Sequence, residues 1–521
     1  MAAGSTPATK PGGAVTDFPT ERVADQFAAL DLGSNSFHLI VASHRTGRIQ
    51  VIDKLKEMVR LADGLNEKGK LSPEVTQRAI DCLQRFGQRL RPLPRDHVRV
   101  VGTSTLRRAK NGAEFLSAAE AALGHDIEII SGIEEARLIY LGVAFDLARG
   151  GERRLVIDIG GGSTEVIAGH GDEPEIANSL HMGCVNMTQR FFSDGQLSRA
   201  NFDAAISFAQ QELEPVQALY LQAGWDRAIG ASGSILAAAQ VVAEQRSNGT
   251  ALDQGIEAAE LDQLVERLVD IGRIDALRLA GLNQERAPVF AGGVAILTGL
   301  VRGLGIDTLI TSQGALREGL LVDLLGRSDE HDVRDETVAE LVNRFQIDEH
   351  QANRVQALAL ELLAQVSDDW ALNDEANPRK LGWAALLHEL GLSLAHGSFH
   401  KHGAYLLANM DLPGFSQAEQ QGLALLVRAH RRKFPKLEFH PKDPRSLRLL
   451  RLAVLLRLAA LFHRSRTGEL PPKVELEAKG EALRLTLDRA WLAEHPLTRL
   501  DLEQEADYLK ACQLDLTLDE R

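Results

Sequence analysis

A chain of 521 residues, 44% hydrophobic and 25% charged, has globular composition and room for about three or four domains at roughly 150 residues each. Its net charge of −14 argues against a protein that holds nucleic acid by bulk charge, and its apolar runs fall short of the ~20 residues of a membrane span. Three scattered cysteines, Cys82, Cys184 and Cys512, exclude a disulfide framework or paired zinc spacing and fit a cytoplasmic protein.

Residues 1–23, rich in Ala, Gly, Pro and Thr, read as a disordered tail without the basic start or apolar core of a secretion signal. The first ordered stretch, Gln26–Ala42, runs apolar residues into Asp31, then Gly33, Ser34, Asn35 and Ser36, then a second apolar run. The same pattern returns in Val156–Ala168, where Asp158, Gly160, Ser163, Val166 and Ile167 repeat Asp31, Gly33, Ser36, Leu39 and Ile40. Every position is offset by 127 residues (158 − 31, 163 − 36). Each copy predicts a β-hairpin with a tip of bare backbone and small hydroxyls, which lets main-chain N–H groups approach an anion. There is no Walker lysine, and no helix follows at once, so neither copy is a P-loop or a dinucleotide fingerprint. A repeat at domain spacing predicts two similarly built lobes facing each other.

Between the copies, Ser72 before Pro73 starts a helix, and the strand Val98–Gly102 runs into Thr103, two further hydroxyls, Arg107 and Arg108. Hydroxyls and arginines at a strand's carboxyl end suit phosphate. Ser131 and Glu134 form a capping-box pattern, so Glu134 has a structural explanation that Glu135 lacks. A carboxylate at that helix start can orient water for attack on phosphorus. A third Gly/Ser turn, Gly230, Ser232, Gly233 and Ser234, opens another helix and offers N–H groups to a phosphate.

From Arg334 to Arg466 the pattern is helical, with His388, His396, His400, His402, His430 and His463 gathered in it. Residues 428–466 carry twelve Lys/Arg against Glu438 and Asp443, so Arg428, Arg431, Arg432 and Lys433 are candidates for holding a long polyanion. A solvated face on an amphipathic helix accounts for part of that concentration, and peripheral binding to the inner membrane surface would use the same charge. The last segment alternates apolar and polar residues as a small strand-containing module.

Taken together, Asp31–Leu39, Val59–Leu65, Gly102–Arg107, Ser131–Ile139, Val156–Glu165, Gly230–Ser234 and Asp411–Phe415 resemble the exopolyphosphatase / guanosine pentaphosphate phosphatase family of the sugar kinase–Hsp70–actin superfamily. The resemblance runs from about Phe27 to the end. It implies an α/β protein of two actin-like (ribonuclease H-like) lobes at 24–137 and 138–325, an all-α HD-like domain at 326–470 and a small α+β module at 471–521. It further implies Mg²⁺, with a monovalent cation as a second candidate, and a homodimer. Glu135 matches the catalytic base of the family. Asp158 and Glu165 match its metal positions, with Asp31 facing them. Gly33–Ser36, Thr103, Arg107, Gly160, Gly161, Gly162 and Ser163 match its phosphate contacts. The His388-Glu389 doublet departs from the metal-binding His-Asp form, which argues against a second hydrolytic centre.

The expected activity is hydrolysis of the terminal phosphoanhydride of inorganic polyphosphate, with guanosine pentaphosphate as the alternative substrate. The basic 428–466 segment favours the long chain. A sugar or acetate kinase is the competitor from the same superfamily, and would be distinguished by substrate-dependent ADP formation.

Overall fold

The structure is a computed structural model that describes residues 25–45, 48–66, 68–147, 151–246, 255–328, 332–435, 439, 443–466 and 473–521. The expected tail at 1–23 lies outside them.

Two sheets carry the first half of the chain. In the first, β1 (Gln26–Leu32), β2 (Phe37–Arg45), β3 (Arg48–Glu57), β4 (Val98–Gly102) and β5 (Glu128–Ile129) are ordered β3-β2-β1-β4-β5. In the second, β6 (Arg153–Ile159), β7 (Thr164–His170), β8 (Glu173–Leu180), β9 (Arg227–Ala231), β10 (Ile256–Glu257) and β11 (Thr308–Thr311) are ordered β10-β11-β9-β6-β7-β8. Read from the opposite edge, the second order repeats the first and adds β10. Both sheets join an antiparallel meander, β1-β2-β3 or β6-β7-β8, to parallel neighbours, β4 and β5 or β9 and β11. The internal repeat therefore extends from the hairpins to the whole lobe.

Buried helices fix the two lobes against each other. The helices Gly132–Asp146 and Leu316–Ser328 share a core with both sheets, through Ala29, Ile40, Ile139, Val156, Ile229 and Leu320. They approach so closely that a Cβ at Gly142 would sit 2.0 Å from the carbonyl of Ala315, and one at Gly319 1.7 Å from that of Leu138. Only glycine permits this crossing. The 18-residue helix Ala287–Leu304 has a mean hydropathy of 1.6, apolar enough to cross a membrane, yet 78% of it is buried in the second lobe. Four glycines interrupt its apolar runs, and Ala209 and Thr188 pack against two of them.

From Val333 onward the chain is helical, and its core continues without a break into a sheet of β12 (Glu475–Lys479), β13 (Ala482–Leu487) and β14 (Asp515–Glu520). Trp370, fully buried, donates from its indole N–H to the Gly480 carbonyl at 3.1 Å. The helical region docks on the lobes through the late motif Asp411–Phe415. Gly414 adopts a left-handed φ of 83° and gives its N–H to Glu134 at 2.8 Å, while Ser416 forms a β-bridge with Ile130.

That contact settles the role of Glu134. Its backbone N–H caps on Ser131 Oγ at 3.1 Å, as the capping box requires, but its side chain does not return to the cap. Completely buried, it forks onto Arg137 at 2.7 and 2.9 Å. Arg137 and Arg99 in turn pair with Asp323. Burial alone would raise the Asp323 carboxyl, but the arginines Arg99, Arg137 and Arg327 outweigh it and hold the group well below the usual range.

Candidate active site

The two hairpin tips meet in a cavity of about 320 Å³ between the lobes. Their registers match residue for residue: Asp31 opposes His38 across β1 and β2, and Asp158 opposes Glu165 across β6 and β7. The 127-residue offset therefore carries through to the second strand, where His38 occupies the place of Glu165 (165 − 38). The Gly160 N–H closes its tip on the Ser163 carbonyl at 3.0 Å. A Cβ at Gly161 would lie 2.9 Å from the Ser34 Cβ, and one at Gly162 would lie 2.7 Å from Ser104 Oγ. The tips touch because both are bare.

Of the residues expected from sequence, Asp31, Gly33, Ser34, Asn35, Ser36, Thr103, Glu135, Asp158, Gly160, Gly161, Gly162, Ser163, Ser232, Gly233 and Ser234 line this cavity. Three do not. Gly230 lies within β9, paired to Ile157 and Thr311, and only the turn after it reaches the cavity. Arg107 stands behind Glu135, donating to its carboxylate at 2.6 Å and to the Ile130 carbonyl at 3.0 Å. Glu165, paired beside Asp158 across β6 and β7, is fully buried and accepts from Ser179 at 2.7 Å. Arg428, Arg431, Arg432 and Lys433 are absent from this cavity, and Arg431 and Arg432 line a separate one in the helical region. These candidates for holding a long polyanion therefore stand apart from the cleft lining.

The cavity has an acidic wall and a basic wall. On the acidic side, burial raises Glu135 above the ordinary carboxylate range, with Arg107 opposing the shift. Burial pushes Asp158 up to about 7, against a hydrogen bond from Ser232 and with help from Glu135. Asp31 and Glu165 are driven well up by burial first, then by the other carboxylates. The basic side, absent from the expectations drawn from sequence, consists of Lys56, Arg286 and Arg317. Burial lowers both Arg286 and Lys56, and Arg286 further lowers Lys56, so these are cations held in place without enough anion nearby. Arg286 lies directly on Gly233, where a Cβ would meet its guanidinium at 1.7 Å.

His38 links Arg317 on the basic wall to the first hairpin. Arg317 has only donors, so His38 Nδ1, 2.8 Å away, must accept from it. Burial, then Arg317, Lys56 and Arg286, push the imidazole down to about 3, so it is neutral and its proton sits on Nε2. That N–H donates to Ser36 Oγ at 2.7 Å, which turns the Ser36 hydroxyl hydrogen away from the ring and leaves it for another acceptor.

The donor set of the acidic wall is all oxygen, which suits a hard cation. Asp31 Oδ1 is buried with no hydrogen-bond partner, the condition a bound cation would relieve. Among the described residues no three His, Cys, Asp or Glu side chains converge as a ready metal cage. Asp31 and Asp158 line the cavity, while Glu165, expected with them as a metal holder, is paired to Asp158 and lies outside the lining.

Two family profiles match the chain: the Ppx/GppA phosphatase family over residues 40–328 and Ppx/GppA phosphatase, domain III, over 333–506. The guanosine-5'-triphosphate,3'-diphosphate pyrophosphatase of Aeromonas hydrophila is 42% identical over 483 residues, covering 92% of this chain and 96% of that protein. Its namesake from Vibrio cholerae is also 42% identical, over 92% and 95% of the two chains. The crystal structure of the Aquifex aeolicus Ppx/GppA family member aligns with a TM-score of 0.50 at 26% identity, covering 58% of this chain and 99% of that one. An exopolyphosphatase from Cytophaga hutchinsonii, at 24% identity, TM-score 0.53 and coverage of 58% and 98%, shares the fold. The chain belongs to the Ppx/GppA phosphatase family, and is a hydrolase of that family.

Proposed function

We propose that the chain hydrolyses the terminal phosphoanhydride of guanosine-5'-triphosphate,3'-diphosphate, releasing orthophosphate. The observation that carries the reaction type is Glu135, a buried carboxylate at a helix start in a cavity between two bare hairpin tips. The substrate rests on relatives of that name, 42% identical over nearly the full length of both chains. Inorganic polyphosphate, placed first on sequence grounds, becomes the second candidate. The preference for it rested on Arg428, Arg431, Arg432 and Lys433, which lie away from the cleft.

In this mechanism the terminal phosphate sits among the tip N–H groups of Gly33–Ser36 and Gly161–Ser163, with Ser36 donating from its fixed hydroxyl. Glu135 takes a proton from water as the water oxygen attacks phosphorus. Arg107 keeps that carboxylate ionised and aimed, despite the burial that would protonate it. Lys56 and Arg286 meet the charge that grows on the departing phosphate oxygen. Asp31 and Asp158 would hold Mg²⁺, which supplies further neutralisation of phosphate charge when bound. Glu165 acts from outside the lining as a positioning residue, reached by Ser179 and paired across the strands with Asp158.

The test is orthophosphate release from guanosine pentaphosphate and from long inorganic polyphosphate, measured side by side with Mg²⁺. A higher kcat/KM on the nucleotide is expected. A higher value on polyphosphate overturns the proposed substrate, and ADP formation with a sugar or acetate acceptor overturns the reaction.

A further inference from the structure

A second cavity, of about 610 Å³, lies wholly in the helical region and shares no lining residue with the cleft. Its size is that of a site for a drug-sized ligand. The charges around it do not balance: Arg431, Arg432, Arg457, Arg464 and Arg466 face Glu389, Asp501 and Glu505. Each acid is already engaged. Glu505 holds Arg457 at 2.7 Å, Asp501 holds Arg464 at 2.7 Å, and Glu389 holds Arg466. Arg431 and Arg432 have no carboxylate within ion-pair distance among the described residues, and Arg431 lies 4.5 Å over the Phe399 ring. Burial and the neighbouring Arg432 and Arg464 lower Arg431, as expected for unneutralised like charges.

The two free arginines stand on a built turn. The buried Arg457 donates to the Ala429 carbonyl and, at 2.8 Å, to that of Arg432. Arg432 and Arg466 both hold left-handed backbone, φ 64° and 56°. Such conformations cost a non-glycine residue about 1–3 kcal/mol and gather at ligand sites; Ser232 in the catalytic cavity, at φ 66°, is another. Beside these arginines the cavity presents acceptors, and Phe399 packs against both His430 and Arg431. His388 and His430 use Nδ1–H on the carbonyls of Ala385 and Val427, both at 2.7 Å, and burial holds both rings neutral, so each Nε2 is an unprotonated acceptor. A ligand matching both sets of groups carries two or more negative charges together with hydroxyl or N–H donors. Inorganic phosphate chains lack such donors at neutral pH; nucleoside phosphates have both.

One element joins this cavity to the cleft. The helix Gln417–Ala429, about 20 Å long at 1.5 Å per residue, ends at His430 and Arg431 in the second cavity. It begins at Ser416, which bridges Ile130, whose carbonyl holds the arginine paired with Glu135. Its start is fixed by a complete capping box between Ser416 and Glu419. We propose that the second cavity is a regulatory site for a nucleoside polyphosphate, read at Glu135 through this helix.

The probes are adenosine 5′-diphosphate, guanosine 5′-diphosphate and inorganic tripolyphosphate, titrated calorimetrically into wild type, the Arg431→Ala/Arg432→Ala variant and Leu392→Trp, which fills the cavity. Both variants should bind a nucleoside diphosphate at least tenfold more weakly and keep the wild-type kcat and KM on the phosphatase substrate. Saturating nucleoside diphosphate should change the wild-type rate at least twofold and leave both variants unmoved. Unchanged binding in the variants, tighter binding of tripolyphosphate than of either nucleotide at this site, or an equal rate change in wild type and variants would each overturn the proposal.

Discussion

Asp158 and Asp323 are both nearly inaccessible, at 6% and 8% exposure, and their surroundings drive them in opposite directions. Asp158 shares the cleft wall with Asp31 and Glu135, and burial pushes it up to about 7. Asp323 lies at the junction of the lobes with the helical region, where three arginines overcome burial and hold it low. The same residue type at the same depth is held in its charged form where arginines match it, and is driven toward the protonated form where they do not. The adjacent pair Glu134 and Glu135 repeats the contrast: the first is locked to Arg137 and the Gly414 N–H, the second faces the cavity with a single arginine behind it.

The contrast is broken most sharply at Asp158. Asp158→Asn should lower phosphate release by about a hundredfold or more, while raising the melting temperature of the metal-free protein at pH 8 by roughly 3 °C or more. A fall in both would mean that the cleft carboxylates support the fold. Asp323→Asn should do the reverse, costing about 3 kcal/mol of stability in denaturant titration because it leaves buried arginines short of an anion.

The pH dependence separates the two regions further. Between pH ~4 and 7 the folded cleft binds more protons than the unfolded chain, so the contribution of Asp158, Asp31 and Glu165 to stability falls as pH rises. Asp323 contributes above its unfolded value near 4, and its contribution is lost as pH falls below that. Mg²⁺ should therefore raise the melting temperature by a few degrees more at pH 8 than at pH 5, and Asp158→Asn should remove most of that difference. A smaller effect is expected at His38. His38→Glu still accepts from Arg317 but cannot donate to Ser36, so it should raise KM about tenfold, with His38→Gln recovering much of the loss. In a Ser36→Ala background His38→Glu should add little.

The lobes were legible because their signal is local. Asp31 to Ser36 and Asp158 to Ser163 encode a turn by residue identity, and a repeat at fixed offset encodes a second copy of the topology. Glu135 could be told from Glu134 because only one of them was explained by a cap. Lys56, Arg286 and Arg317 were not legible, since a lone cation on a strand or helix reads as a solvated charge until the tertiary fold turns it inward. His38 was hidden by the repeat itself, because its counterpart is a carboxylate and only the strand register pairs the two. The basic segment at 428–466 was legible as charge but not as place: position in a separate cavity depends on helix packing that composition does not encode.

The most direct test of the cleft is Glu135→Gln, assayed for phosphate release from guanosine pentaphosphate and for binding of the same nucleotide. Turnover about a thousandfold lower, with binding within a few-fold of wild type and an unchanged or higher melting temperature, is the predicted result. A variant that keeps near-wild-type turnover, or that loses activity only because it unfolds, would contradict the assignment of the unmatched carboxylate as the base.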